Sequence, residues 1–110
     1  MSFQAHHVAI ELNRALAPVG ARLRRADRKD AAQLKDAAKS IARNLREGSR
    51  RLGRDRIHRF SIASGSASEV KGILETAQAW GDLQPKDLAD VLPLLDRMLA
   101  LTWRLTHPRT

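Results

Sequence analysis

The spacing of the apolar residues constrains this chain most strongly. In four segments they recur every three or four positions, which places them on one face of an α-helix and does not fit the alternation of a β-strand. The first two predicted core faces are Ala5, Val8, Leu12, Leu16, Val19 and Leu23, and then Leu34, Ala38, Ile41 and Leu45. The third is Ile57, Phe60, Ala63, Ala67, Val70, Leu74 and Ala77, flanked by Ile62, Ser66, Ile73 and Trp80, and the fourth is Leu88, Val91, Leu92, Leu95, Met98, Leu99 and Leu105. The chain is therefore predicted to form four amphipathic helices.

The predicted helices span residues 3–26, 30–47, 54–80 and 85–106. Asp30 is a good N-cap for the second helix, and Gly48 is a suitable left-handed C-cap for its end. Gly53 is a tolerable N-cap for the third helix. These residues predict short connections between long helices.

Prolines mark the weak points of this assignment. Pro18 lies inside the first predicted helix, where we expect a kink or a break with a restart. Pro85 suits the first position of the fourth helix, whereas Pro93 falls inside it.

Four long helices with short connections must run antiparallel to their neighbours. We therefore predict an all-α fold, an up-and-down antiparallel four-helix bundle, as a single domain over residues 1–110. Apolar residues make up 43% of the chain but aromatic residues only 4%, which favours packing through aliphatic side chains.

The absence of cysteine excludes disulfides, thiolate metal sites and cysteine nucleophiles. The N-terminal residues do not form a secretory signal, and no apolar run reaches membrane-spanning length. A cytoplasmic location is the default expectation.

Charge is distributed unequally along the chain. Residues 1–60 carry 15 Lys and Arg against 6 Asp and Glu, whereas residues 61–110 carry 5 against 6. Such a one-sided field attracts polyanions, so nucleic acid, anionic lipid or an acidic protein surface is a candidate partner. A basic surface that serves only solubility is the alternative.

The most specific feature is a row of cations on the second helix. They recur at spacings of four, four, three and four, beside the apolar face. Like charges at these spacings repel, which favours an anion-binding role over a stabilising one. With two arginines of the following loop and helix, the predicted nucleic-acid-binding residues are Lys35, Lys39, Arg43, Arg46, Arg50, Arg51 and Arg54. A membrane is disfavoured because the apolar face of this helix is needed for the core.

No catalytic or metal site is predicted, and no cofactor is expected. The histidines, His6, His7, His58 and His107, lack the spacing that places two ligands on one helix face, although packing could bring the first two near the last. Ser61, Ser64, Ser66 and Ser68 lack a nucleophile elbow, and the carboxylates form no recognisable acid–base pair. We expect the chain not to be an enzyme.

Two stretches resemble a known family. Residues 40–48 read Ser-Ile-Ala-Arg-Asn-Leu-Arg-Glu-Gly, and residues 59–66 read Arg-Phe-Ser-Ile-Ala-Ser-Gly-Ser, with Glu69 beyond. They resemble the signatures of the four-helix bundle proteins related to those encoded in intervening sequences of bacterial 23S rRNA genes, Ser-Ile-Pro-Ser-Asn-Ile-Ala-Glu-Gly and Arg-Phe-Leu-x-Ile-Ala-x-Gly-Ser. The family is also similar to the accessory variability proteins of diversity-generating retroelements. The resemblance covers about residues 30–83.

This chain departs from the family pattern in the direction of positive charge. Ala42 replaces the usual proline, Arg43 and Arg46 replace small residues, and Arg56 stands where an acidic residue is common. The resemblance implies a ring-shaped homopentamer without enzymatic activity. The leading hypothesis is therefore a non-catalytic, homo-oligomeric protein that binds nucleic acid, RNA rather than DNA. The alternative is a protein-interaction scaffold that docks an acidic partner such as a reverse transcriptase.

Overall fold

Four α-helices and one short 3₁₀ helix make up the structure, a computed structural model that describes residues 2–108. They are α1 (Ser2–Ala26), α2 (Arg28–Ser49), α3 (Gly53–Ala79), the 3₁₀ helix Pro85–Leu88 and α4 (Val91–Thr106). The first and third α-helices each pack against both α2 and α4, in a body of 44 × 22 × 20 Å. The predicted all-α four-helix bundle is confirmed. Residue 1 and residues 109–110 of the predicted domain lie outside the described residues.

The core contains most of the predicted face residues, together with Ala9, Ala31, Ala37 and Leu83, which no predicted face included. Every predicted face residue of α1 and α2 is buried, as are Phe60 to Ala77 on the main face of α3. Ile57, Leu92 and Trp80 were expected in the apolar faces but are 38%, 45% and 85% exposed. Ile57 is the fifth residue of α3 and Trp80 lies just past its end, while Leu92 is rotated by about 100° from the buried Val91. At both ends of α3 the apolar pattern extends beyond the packed part of the helix, and at Leu92 it is wider than the packed face of α4.

The beginning of α2 corrects one prediction. The N-cap is Asp27, whose Oδ1 accepts a hydrogen bond from the backbone N of Asp30 at 2.9 Å, and α2 starts at Arg28. Asp27 is extended and is the only residue between α1 and α2, so the chain reverses within one residue. Asp30 occupies the first turn of α2. Its carboxylate interacts favourably with the helix dipole there, but it is not the cap.

The predicted glycine caps are also wrong. Gly48 is helical and buried, α2 continues to Ser49, and the phenyl ring of Phe60 packs against Gly48. Gly53 is the first residue of α3, after the N-cap position Leu52, and it has a φ of 59°. A residue with a side chain is disfavoured in that conformation, which accounts for glycine there.

The two internal prolines leave their helices continuous. Pro18 is exposed within the single helix α1, so the predicted break with a restart does not occur. Pro93 is the third residue of α4, in the first turn, where backbone N–H groups have no intrahelical acceptor in any case. The fourth α-helix begins at Val91 instead of residue 85, and Pro85 starts the 3₁₀ helix.

Candidate nucleic-acid interface

The predicted cationic row lies on the exposed side of α2. Lys35, Lys39, Arg43, Arg46 and Arg50 are all exposed, while Leu34, Ala38, Ile41 and Leu45 beside them are buried. The row extends for about 22 Å along the helix, since each residue advances the axis by about 1.5 Å. We call these five residues the α2 row.

Arg51 and Arg54 extend the charge beyond the helix, and they differ in their surroundings. Both are exposed. The guanidinium group of Arg51 contacts Glu47 at 3.5 Å and Asp55 at 3.3 Å, so two carboxylates offset its charge. Within the part of the chain that the structure describes, the other six predicted cations form no ion pair.

Arg56 and Arg59 of α3 are half-buried, and Arg56 is bound to the end of α2. Nε and Nη2 of Arg56 donate hydrogen bonds to the carbonyl groups of Gly48 and Ser49, at 3.3 and 3.4 Å. A cation at this point satisfies orphan carbonyl groups at the C-terminal end of α2. Arg59 is half-buried, and its Nε has no hydrogen-bond partner within the described residues. Arg56 is therefore tied to the end of α2 instead of extending the α2 row.

The signature residues pack α2 against α3. Ser66 Oγ donates to Ser40 Oγ at 2.8 Å, and Asn44 Nδ2 donates to the same Ser40 Oγ at 3.1 Å and to the Ser40 carbonyl at 2.9 Å. Asn44 and Ser66 are buried, and buried polar groups need such partners. Glu69, which follows the second signature stretch, is exposed and forms no ion pair within the described residues. The signature thus specifies a helix–helix contact, and the α2 row lies outside it except for Arg43 and Arg46.

A surface cleft of about 600 Å³ lies between α1 and α2. Its apolar lining includes Leu16, Ala17, Gly20, Ala21, Ala31, Ala32, Leu34 and Ala38, and its charged lining is Arg24, Arg28, Lys35 and Lys39. Sequence reasoning missed Arg24 and Arg28. The signal that could have indicated them is the concentration of Ala and Gly at 17–21 and 31–32, since small side chains on adjoining helices leave a gap.

One of the exposed cations of α1 also helps to hold the fold together. Arg14, Arg22 and Arg25 are exposed, as is Lys29 at the start of α2. Nη1 of Arg22 contacts Oδ1 of Asp87, a largely buried carboxylate of the 3₁₀ helix, at 3.2 Å. Asp87 also accepts a hydrogen bond from the backbone N of Gln84 at 2.8 Å. This pair attaches the connection between α3 and α4 to α1.

The histidines form no recognisable ligand set. His107 stacks on Trp103, with ring centroids 4.2 Å apart, and its Nδ1 lies 2.8 Å from the Trp103 carbonyl oxygen. His6 is half-buried, and His7 and His58 are exposed. Among the residues that the structure describes, no three His, Asp or Glu side chains are grouped as metal ligands would be.

The fold and surface define an all-helical, four-helix bundle protein with a basic face on its second helix. The family model of the 23S rRNA-intervening sequence proteins matches residues 4–103, and the chain belongs to this family. Comparisons with curated proteins and with solved structures give no match. None of the described helices has both the length and the apolar character needed to cross a bilayer.

Proposed function

We propose that this chain is a non-catalytic, homo-oligomeric RNA-binding protein that contacts the phosphate backbone through Lys35, Lys39, Arg43, Arg46, Arg50, Arg51 and Arg54. The observation that carries the proposal is the exposed α2 row, which lies on a rigid helix and forms no ion pairs within the described residues. Neighbouring cations in the row are separated along the axis by about 6 Å or less, which is shorter than the Debye length of about 8 Å at physiological salt. Their potentials therefore add, as backbone binding requires.

The family supports RNA over other polyanions. Its description connects it with intervening sequences of 23S rRNA. Arg can bind a phosphate group with two parallel hydrogen bonds, and each neutralised phosphate releases counterions. Arg43 and Arg46, which replace small residues of the family signature, strengthen this face in the present chain.

The oligomer belongs to the same proposal. The resemblance to the family implies a homopentamer, and large apolar side chains remain exposed at Leu52, Ile57, Trp80, Leu92 and Trp103. A ring would repeat the α2 row and combine several weak contacts on one RNA. Native mass spectrometry should give five times the 12.3 kDa of one chain. A monomer at micromolar concentration would contradict this part.

The RNA proposal is tested by charge reversal with a matched control. Binding of labelled single-stranded and duplex RNA is measured by fluorescence anisotropy over a range of salt concentrations. We expect affinity to fall steeply with salt, and Arg43→Glu with Arg46→Glu to weaken binding to all sequences alike. Lys71→Glu with Lys86→Glu makes the same change in net charge at exposed positions outside the α2 row, and it should have a much smaller effect.

Equal losses in the two double variants would indicate a response to net charge alone and would contradict a site on α2. Tight binding that ignores salt would also contradict it. The alternative function, a scaffold for an acidic protein such as a reverse transcriptase, predicts a different result. In that case a protein partner is retained after nuclease treatment and labelled RNA does not bind.

A further inference from the structure

The cleft between α1 and α2 has the size and lining of a ligand site. Its volume of about 600 Å³ lies within the range of about 300–1,000 Å³ that is typical of such sites. The lining is mostly aliphatic. Leu16, Ala31, Leu34 and Ala38 are its buried part, and the small residues Ala17, Gly20, Ala21 and Ala32 lie nearer the solvent. A β-carbon added at Gly20 would lie in open space, with no neighbouring atom within 4 Å. The gap therefore follows from the absence of side-chain volume.

The ionisable groups that line this cleft all have one sign. They are Arg24, Arg28, Lys35 and Lys39, and no carboxylate lines it. All four side chains are exposed and form no ion pair within the described residues. A suitable occupant therefore combines an anionic group with a flat or apolar part.

The cleft is also continuous with the proposed RNA surface. Lys35 and Lys39 belong both to its lining and to the α2 row. An RNA backbone that follows the row therefore passes the mouth of the cleft. Protein sites that recognise single-stranded RNA take up unstacked bases, against apolar or aromatic side chains or against the guanidinium planes of arginine.

We propose that the cleft receives one unpaired nucleotide of a single-stranded RNA whose backbone lies on the α2 row. The base enters between α1 and α2 against the aliphatic lining, with Arg24 and Arg28 at its face or edge, and Lys35 and Lys39 contact the adjoining phosphates. This inference rests on the proposed function. It adds a preference for single-stranded over duplex RNA, because a paired base is not available to the cleft.

The test fills the cleft and leaves the α2 row intact. Gly20→Leu places a side chain in the cleft, and Ala100→Leu adds a leucine at an exposed position of α4 that does not line it. We expect Gly20→Leu to weaken binding of a single-stranded 12-mer about tenfold and to leave binding of its duplex within about twofold. Ala100→Leu should change neither. Equal effects on both RNAs, or no effect, would overturn the inference.

A second measurement uses the wild-type protein and does not depend on the folding of a variant. Single-stranded RNA that contains photoreactive thiouridine is crosslinked and the attached peptides are identified by mass spectrometry. Crosslinks to residues 17–24 support the inference, and crosslinks confined to residues 43–50 overturn it. Adenosine monophosphate as a competitor distinguishes the source of the nucleotide. Weak competition supports RNA, whereas competition at the affinity of the 12-mer would identify a free nucleotide as the ligand.

The two proposals fail in different ways. If wild-type protein binds neither RNA, or if reversal of Arg43 and Arg46 has no effect, the proposed function itself is wrong. If both RNAs bind and depend on these arginines, but Gly20→Leu does not separate single strand from duplex, only the cleft inference is wrong.

Discussion

Gly48 of α2 lies directly against the ring of Phe60 of α3. A β-carbon at Gly48 would lie 2.5 Å from Cε1 and 2.7 Å from Cδ1 of that ring. Both residues are buried, so the ring has little room to move away. The glycine is required by the close approach of the two helices, whose contact also contains the Ser40–Ser66 hydrogen bond.

Gly48→Ala should therefore destabilise the fold, although alanine is the better helix former. Overpacking costs about 1–3 kcal/mol, which equals or exceeds the gain of about 1 kcal/mol in helix propensity. Gly65→Ala is the control, because a β-carbon there meets no atom within 4 Å, and we expect it to stabilise by about 0.5–1 kcal/mol. Urea unfolding measures both free energies. A stabilised Gly48→Ala protein would show that the helices separate easily.

The hydrogen bond between Ser66 and Ser40 should appear as a coupling energy. Ser66→Ala and Ser40→Ala each remove a partner in a buried network that includes Asn44, at a cost of about 1–3 kcal/mol. The double variant should cost less than the sum by about 1 kcal/mol, because the shared bond is lost only once. The exposed Ser61→Ala should change stability by less than about 0.5 kcal/mol. Additive losses would contradict a shared network.

Asp27, and not Asp30, should dominate the start of α2. Asp27→Ala removes the side-chain cap and should cost about 1 kcal/mol, whereas Asp27→Asn should cost only a few tenths because the amide oxygen still accepts the bond. Asp30→Ala loses only the favourable interaction of its charge with the helix dipole, about 0.3–1 kcal/mol. Thermal unfolding at constant protein concentration ranks the three variants. A larger loss for Asp30→Ala than for Asp27→Ala would contradict this assignment.

Arg43 and Arg51 should contribute unequally to RNA binding. Arg43 forms no ion pair within the described residues, but Arg51 must leave Glu47 and Asp55 before it can contact a phosphate. In a plot of log affinity against log salt concentration, Arg43→Ala should make the slope shallower by about 0.7, the value for one phosphate contact with a single strand. Arg51→Ala should reduce it less. Equal reductions would show that the carboxylates around Arg51 are displaced without cost.

Local sequence pattern predicted the four helices and most of the core, because an apolar spacing of three and four defines a helical face wherever a neighbouring helix covers it. It failed at Ile57 and Trp80, where the apolar pattern continues beyond the packed part of α3, and at Leu92, where the pattern is wider than the packed face of α4. The caps failed for a related reason. Asp27 and Asp30 are equivalent by residue type, and only the chain reversal between α1 and α2 selects Asp27.

The sequence by itself determined the helical class, the family and the row of cations on one side of α2, since all three depend on residues near one another along the chain. Only the tertiary structure decided that Gly48 accommodates Phe60, that Arg56 holds the end of α2, and that Arg24 and Arg28 share a cleft with Lys35 and Lys39. These relationships join different helices. Their geometry depends on how closely those helices approach, which no local pattern encodes.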